Sequence, residues 1–189
     1  VLALRETHRC IVPDHIGCGL SDKPDDDAYD YRLRSRVEDL GTLLDHLDLQ
    51  QPLTLVVHDW GGMIGFAWAV QHPERIARTV IMNTAAFPIP NDKRMPAALS
   101  LVRDTRLGAF VVQRLNAFAG IAARVGFKQP VAAEVRAAYT LPYDSPADRI
   151  ATLRFVQDIP LTDQDIGYDI LHNTSKQLHL LADKPCLIA

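Results

Sequence analysis

The sequence predicts an α/β fold, with a mainly parallel sheet flanked by helices, and three observations support this. Apolar runs alternate with helical periodicity over about the first 85 residues, in the order strand, helix, strand, helix, strand. From residue 87 to about residue 183 the alternation stops: Pro88, Pro90 and Pro96 open this region, and the patterns that follow are helical. A further apolar run begins at residue 184, so we interpret the long helical segment as an insertion between two strands of one sheet.

The first two elements are a short strand and an amphipathic helix. Residues 10–12 form an apolar run of β type, which Pro13 ends, and a loop rich in glycine, aspartate and proline follows at 15–27. A helix is then predicted because apolar residues recur at spacings of four, three, four and three, while charged residues such as Arg36 are placed on other faces. The apolar positions are Leu33, Val37, Leu40, Leu44 and Leu47.

The next strand leads into a second helix and then a third strand. Pro52 precedes the run 53–57, which is apolar on both faces, as is typical of a parallel strand covered by helices on both sides. Two glycines open a helix over 62–71, which ends before Pro73. Residues 79–82 form the next apolar strand. In such folds, ligands bind at the carboxyl ends of the strands.

This organisation divides the chain into three predicted parts. Residues 1–87 form the N-terminal part of the core, 88–183 a helical cap or lid, and 184–189 the start of the next core strand. The chain begins with Val1 rather than methionine and ends within that last apolar run. We therefore expect an internal fragment of a longer protein, with a core that is incomplete at both ends.

Composition excludes several classes of protein. Hydrophobic residues make up 48% and the formal net charge is -3, values that favour neither disorder nor binding to nucleic acid. No apolar stretch is long enough to span a bilayer. The three cysteines show no paired spacing, which indicates reduced thiols and a cytoplasmic location. The seven histidines show no metal-ligand spacing, so we expect no metal, and we also expect no cofactor.

The turn between the second strand and its helix carries an acid at its apex. Asp59 follows the apolar strand directly, and Trp60 and two glycines come next. Many hydrolases use this strand–turn–helix geometry, the nucleophile elbow, to present a serine above the sheet. A carboxylate there favours displacement at an electrophilic saturated carbon, through an alkyl–enzyme ester. We predict Asp59 as the nucleophile, and the backbone and indole N–H groups of Trp60 as donors to an oxyanion or a departing anion.

Plainer roles remain open for these residues. Aspartate before a helix is more often an N-cap than a nucleophile, and a tryptophan after it can simply pack in the core. Strand alternation sends His58 to the face opposite Asp59, so a buried structural histidine is a better interpretation than a base. Phe118, Tyr143 and Phe155 are candidates to line a substrate pocket, although core positions suit them equally well. We expect the Asp59 carboxylate to face an enclosed apolar hollow beneath the helical insertion.

Several segments resemble the α/β-hydrolase fold, specifically its haloalkane dehalogenase-like branch. The similar segments are 12–14 with 17–24, 57–62, 72–76 and 82–84 in the core, and 139–143 with 154–160 in the cap. The resemblance covers essentially the whole chain and implies that Asp59 is the nucleophile of a hydrolase-fold enzyme. Epoxide hydrolases of this fold usually carry glycine two residues before the nucleophile, where this sequence has Val57.

Within that branch the chain is most similar to the β-lactone decarboxylases of bacterial long-chain olefin biosynthesis. The similar segments are 10–17, 83–88, 115–118 and 149–161. This resemblance implies conversion of a hydrophobic cis-β-lactone to a cis-alkene and carbon dioxide, with Asp59 attacking the four-membered ring. It also implies a β-lactone synthetase as a partner. Haloalkane dehalogenase is the main alternative, and epoxide hydrolase is a weaker one because nothing pairs two of the tyrosines Tyr139, Tyr143 and Tyr168.

The resemblance also implies that part of such a site lies outside this chain. The family's His-Gly-Asn-Pro oxyanion loop corresponds to positions before Val1, and its catalytic histidine to positions beyond Ala189. The supporting acid of some members corresponds to Asn83, so an acid after the strand that begins at Lys184 is implied instead. We therefore expect the 189 residues alone to be catalytically inactive. A pure interaction module finds no support in the sequence.

Overall fold

A three-stranded parallel sheet forms the centre of the molecule. The computed structural model describes residues 1–90 and 93–189. In these residues the strands are β1 (Leu53–Asp59), β2 (Ile76–Thr84) and β3 (Cys186–Ile188), in the spatial order β1-β2-β3. β1 pairs with β2 along its whole length, and β3 continues the parallel sheet beside β2. The predicted α/β class with a mainly parallel sheet is confirmed.

Two helices cover one face of this sheet. α1 (Leu33–His46) packs on α2 (Trp60–Ala69), and α2 lies against β1 and β2. Alternate residues of β1 pack into the same core, and the residues between them are exposed: Thr54, Val56 and His58. The expectations of a strand covered on both faces and of a buried His58 are therefore wrong, because the described residues leave the second face of β1 open to solvent.

The predicted strand at residues 10–12 is wrong. Residues 1–32 contain turns and extended segments, and neither a helix nor a strand is present among them. A strand needs a neighbour for its backbone hydrogen bonds, and no strand of the described residues lies beside this run. The elements predicted further along the chain are present, but α2 begins two residues earlier, at Trp60, and β2 begins at Ile76.

The chain between β2 and β3 is helical in the part that the structure describes. Its α-helices are α3 (Ala97–Asp104), α4 (Arg106–Leu115), α5 (Ala117–Val125), α6 (Ala133–Thr140), α7 (Ile150–Gln157) and α8 (Tyr168–Gln177). Both α3 and α4 pack against α7. None of the described helices is long and apolar enough to cross a membrane. The division into core and cap at residues 88 and 183 stays a prediction.

Two sets of polar contacts join α7 to the N-terminal part of the chain. Asp158 follows α7 and is buried, and it accepts hydrogen bonds from Arg32 Nη1 at 2.8 Å and from the backbone N–H of Leu33 at 2.7 Å. Arg154 forms a bidentate pair with Asp26, with both N–O distances at 2.7 Å. A buried carboxylate requires partners of this kind. The end of α7 is therefore fixed against the first turn of α1.

Candidate active site

Asp59 occupies a strained backbone position between β1 and α2. Its dihedral angles are φ 48° and ψ -125°, a region that residues with a side chain rarely adopt. Among the described residues, its carboxylate accepts no capping hydrogen bond from the helix that follows. The geometry is therefore that of a sharp strand–helix elbow with a free carboxylate at its apex. A helix cap does not account for an aspartate here.

A bulge in β2 supports the elbow from the neighbouring strand. His58 pairs with Met82 and Asp59 pairs with Thr84, so Asn83 is an extra residue between the two pairs. Asn83 has a positive φ of 37°, which is consistent with this bulge. The bulge allows the Thr84 hydroxyl to donate a hydrogen bond to the backbone carbonyl of Asp59. Sequence analysis did not find Thr84, because the contact depends on the register between two strands.

One of the two glycines after Trp60 is required by packing. A Cβ atom at Gly62 would overlap the Thr84 side chain and would lie 2.9 Å from the backbone oxygen of Ala85. A Cβ atom at Gly61 would have its nearest neighbour 4.0 Å away, at Val57. The close approach of α2 to the carboxyl end of β2 therefore depends on Gly62, whereas Gly61 has room for a side chain.

The carboxylate of Asp59 is exposed, and the expectation of an enclosed apolar hollow around it is wrong for the described residues. Two hollows lie elsewhere, one of about 450 Å³ at α5 and α6 and one of about 270 Å³ beside α3 and α7. Neither is lined by a predicted site residue. Enclosure depends on groups distant in sequence, and a local motif does not specify them.

Trp60 lies beside the apex and is only 9% exposed. Its ring packs edge-to-face on Phe155 of α7, with centroids 5.2 Å apart and planes at 65°. Phe155 also lies 6.2 Å from the ring of His15. The structure thus brings two of the predicted site residues, Trp60 and Phe155, into direct contact. The predicted roles of Asp59 and Trp60 in catalysis stay predictions.

Arg36 also contacts the Phe155 ring, and its burial differs from what the sequence analysis predicts. It is predicted to face away from the core, but it is buried, with 1% of its surface exposed. Its guanidinium carbon lies 3.5 Å from the centroid of the Phe155 ring, and Nη2 donates to the Tyr31 carbonyl at 3.2 Å. Within residues 1–90 and 93–189, its Nε and Nη1 have no hydrogen-bond partner. Burial lowers the pKa of Arg36.

The sequence does contain a signal for this placement. Arg36 lies three residues after Leu33 and four before Leu40, which puts it on the apolar stripe of α1. Hydropathy counts assign a charged residue to the solvent side, and this produced the error. The pKa of the neighbouring His15 is also lowered. The main cause is burial of the imidazole, and the second is the positive charge of Arg36.

The other two predicted pocket residues lie on different elements. Phe118 is on α5 and is 36% exposed. Tyr143 ends a 3₁₀ turn and is half-buried, and burial raises its pKa to about 12. The Tyr143 carbonyl accepts hydrogen bonds from Asn116 at 3.0 Å and from Arg149 at 2.7 Å. These contacts fix the turn, and the roles of Phe118 and Tyr143 in lining a pocket stay predictions.

The candidate site therefore consists of a strained aspartate followed by Trp60, whose ring packs on Phe155, and Phe155 in turn lies against Arg36. In the described part of the chain, no group of three or more His, Cys, Asp or Glu side chains is arranged to hold a metal ion. Within the part of the chain that the structure describes, the Asp59 carboxylate neither caps a helix nor accepts a side-chain hydrogen bond, and its role as a nucleophile stays a prediction. The indole N–H of Trp60 can only donate, which suits a departing anion.

Comparison with known proteins places this geometry in a family. A family model described as alpha/beta hydrolase fold matches residues 2–155. A Shewanella oneidensis protein named cis-3-alkyl-4-alkyloxetan-2-one decarboxylase is 54% identical over 189 residues, covering 100% of this chain and 59% of the relative. The Xanthomonas campestris pv. campestris protein of the same name is 50% identical over 194 residues, covering 100% of this chain and 65% of the relative. The chain thus spans less than two thirds of the length of these relatives.

Solved structures give the same architecture. The crystal structure of the haloalkane dehalogenase DatA from Agrobacterium tumefaciens C58 superposes with a TM-score of 0.79 at 26% sequence identity. The match covers 93% of this chain and 60% of that chain. Both the sequence relatives and this structure are thus longer than the segment described here.

Proposed function

The chain belongs to the alpha/beta hydrolase fold family, and we propose on that premise that it carries the nucleophile of a β-lactone decarboxylase. The substrate would be a hydrophobic cis-3,4-dialkyloxetan-2-one, and the products a cis-alkene and carbon dioxide. Two relatives at 54% and 50% identity bear the name of this activity, which favours it over other chemistries of the fold. The observation that carries the proposal is the strained Asp59, whose carboxylate has no capping role.

The proposed reaction begins with displacement at the β-carbon of the lactone. A carboxylate oxygen of Asp59 bonds to that carbon, the bond from the carbon to the ring oxygen breaks, and the ring oxygen departs as a carboxylate. The Trp60 indole N–H donates to this departing anion. Release of ring strain drives the step, and the product is an alkyl ester of Asp59 that carries a free carboxylate on the neighbouring carbon.

Fragmentation then clears the ester. The bond between the α-carbon and the new carboxylate breaks, and its electron pair forms the double bond to the β-carbon. Carbon dioxide leaves, and the Asp59 carboxylate is released as the second leaving group. The cycle consumes no water and transfers no net proton, so atoms and charge balance without a co-reactant. A hydrolytic dehalogenase differs at this point, because water must cleave its ester.

We propose that the helical segment 88–183 forms the cap above Asp59, that residues 1–87 form the first part of the core, and that 184–189 begin its next strand. The return of the chain to the sheet at β3, beside β2, supports this division. Phe118, Tyr143 and Phe155 would contribute to the apolar wall of the substrate pocket. We further propose a cytoplasmic location, which the three free cysteines favour, and a β-lactone synthetase as the partner that supplies the substrate.

The second candidate is a haloalkane dehalogenase. The fold similarity to a dehalogenase and the Trp60 donor beside Asp59 are equally compatible with a departing halide. The two candidates share the first step and differ in the electrophile and in how the ester is cleared. Their products therefore separate them: alkene and carbon dioxide in one case, halide and alcohol in the other.

The test uses the full-length protein with a cis-3,4-dialkyloxetan-2-one and, in parallel, a 1-bromoalkane. We expect cis-alkene from the lactone and no bromide from the bromoalkane. Asp59→Asn should lower turnover by about a thousandfold or more, because the nucleophile is lost. Asp163→Asn, which changes an exposed carboxylate, is the matched control and should retain full activity. Bromide release, or alkene formation that survives Asp59→Asn, would contradict the proposal.

A further inference from the structure

Three helices meet in one stack of side chains beside the elbow. The Phe155 ring of α7 contacts both the guanidinium of Arg36 on α1 and the indole of Trp60 on α2. The guanidinium carbon is 3.5 Å from the Phe155 centroid, which is van der Waals contact with the ring face. The Phe155 and Trp60 centroids are 5.2 Å apart. We call these three residues the Arg36 stack.

The stack is one of two consecutive contacts between α1 and α7. One turn earlier in the chain, Arg32 and the Leu33 backbone bond to Asp158, which lies one turn beyond Phe155. The two contacts together fix how far α7 can slide along α1 and how far it can turn. Phe155 is therefore held from the α1 side, and its position sets the surface on which Trp60 rests.

Burying Arg36 in this contact costs free energy, because its guanidinium is removed from water. A buried guanidinium with two unpartnered donor atoms loses hydration that nothing in the described residues restores. An apolar side chain of similar length would fill the same space without that cost. An apolar side chain cannot supply a flat cation over the face of an aromatic ring. The protein therefore tolerates the desolvation of Arg36 at a position where the guanidinium can fix the orientation of the Phe155 ring.

We propose that Arg36 and Phe155 are positioning residues for Trp60: the guanidinium holds the Phe155 ring against the indole and so fixes the direction of the indole N–H relative to Asp59. This inference rests on the proposed function, in which that N–H donates to the departing carboxylate. The stack also transmits the position of the cap helix α7 to the elbow. An enzyme with a misdirected indole would still bind its substrate, but it would stabilise the departing anion poorly.

The first test is kinetic and uses the full-length protein with a cis-3,4-dialkyloxetan-2-one. Arg36→Met should lower kcat by about 10- to 100-fold, because small errors in orientation are costly in rate, and should leave KM within about threefold. Arg36→Lys keeps the charge but not the flat guanidinium and should be impaired nearly as much. Phe155→Leu removes the ring face on which the guanidinium lies and should lower kcat by a similar factor.

Thermal stability separates a positioning role from a structural one. Arg36→Met removes a buried charge with two unsatisfied donors, so its Tm should equal or exceed that of the unsubstituted protein. A residue needed only for folding would behave in the opposite way, with a lower Tm and with kcat unchanged per folded molecule. Normal kcat in folded Arg36→Met would overturn the proposal. If that variant does not fold, kcat of folded Arg36→Lys decides instead, and a normal value there would overturn the proposal.

A spectroscopic readout makes the inference independent of the substrate. The indole N–H peak of Trp60 in a ¹H–¹⁵N spectrum is identified by its loss in Trp60→Phe, and it should shift or broaden in Arg36→Met. Arg75→Met is the matched control. The guanidinium carbon of Arg75 lies 5.0 Å from the ring centroid of Trp68, and Trp68 is on α2, as Trp60 is. It should move the Trp68 peak and leave both the Trp60 peak and kcat unchanged.

The two readouts distinguish the failure of each proposal. If the unsubstituted protein does not convert the lactone, the proposed function is wrong, and the Trp60 peak alone decides the inference about the stack. A Trp60 peak that does not move in Arg36→Met would refute the stack whatever the substrate is. A peak that moves together with a fall in kcat supports both proposals.

Discussion

Replacing Gly62 with alanine should destabilise the protein, although alanine is the better helix former. The added Cβ would overlap the Thr84 side chain and would lie 2.9 Å from the backbone oxygen of Ala85, which no rotamer change can move. Overpacking of this kind costs about 1–3 kcal/mol. The reduced entropy of the unfolded chain offsets about 0.4–1 kcal/mol of it. At the midpoints of these two ranges, we therefore expect a net loss of about 1.3 kcal/mol in the free energy of unfolding.

Gly61→Ala is the matched control for this prediction. It makes the same chemical change one residue earlier in α2, where the nearest atom to the new Cβ lies 4.0 Å away. With no overlap to relieve, only the entropic gain remains, and stability should rise by about 0.4–1 kcal/mol. Urea unfolding of the full-length variants, followed by far-UV circular dichroism, measures both values. The reasoning fails if Gly62→Ala is as stable as Gly61→Ala.

A double substitution locates the clash. Thr84→Ala removes the hydroxyl and methyl groups that the new Cβ meets at Gly62, and it leaves the Ala85 carbonyl in place. The pair Gly62→Ala with Thr84→Ala should therefore recover part of the lost stability, with a coupling energy of about 0.5–2 kcal/mol. If the two single changes in the free energy of unfolding are strictly additive, the Thr84 side chain does not clash with the new Cβ atom, which would mean that the bulge in β2 has shifted.

Two further predictions concern titrating groups. Burial raises the pKa of Asp165, but hydrogen bonds from two backbone N–H groups and the ion pair with Arg103 outweigh it, so the pKa is lowered overall. Asp165 thus contributes stability that is present above about pH 4 and is lost as the pH falls through the pKa of the folded state. The free energies of unfolding of Asp165→Asn and of the unsubstituted protein should therefore become equal at pH values below that pKa. Burial and then Arg36 lower the pKa of His15, so Arg36→Met should raise that pKa in an NMR titration, and an unchanged value would contradict the assigned cause.

The elbow was predictable because its signals are local. A strand, an acid and two glycines follow one another within a few residues, and the strand–turn–helix geometry follows from their order. The sequence does not distinguish the two glycines, since both precede the same helix. Gly62 differs from Gly61 only because the bulge at Asn83 brings Thr84 beneath it. A bulge is a relation between two strands, and neither strand's own pattern reveals it.

Burial was harder to predict than secondary structure. The apolar pattern of β1 suggested cover on both faces, yet Val56 is 54% exposed. An apolar pattern shows which positions of a strand can be buried. Whether they are buried depends on which distant segments pack on that strand. Arg36 illustrates the converse error, because its spacing placed it on the apolar stripe of α1 while its charge assigned it to solvent. Where spacing and charge disagree, the spacing was correct here, and the disagreement marked a residue beside the candidate site.

Different groups hold the backbone of Asp59 and orient the side chain of Trp60. The strained φ of Asp59 costs about 1–3 kcal/mol, and β1 pairing, the Thr84 hydrogen bond and the close packing of Gly62 hold it in place. All of these groups lie within residues 53–84, so the backbone at Asp59 does not depend on contacts from the helical segment that follows β2. The orientation of Trp60 depends instead on α7, through Phe155 and Arg36. Substitutions in the Arg36 stack should therefore change turnover while the Asp59 backbone remains as it is.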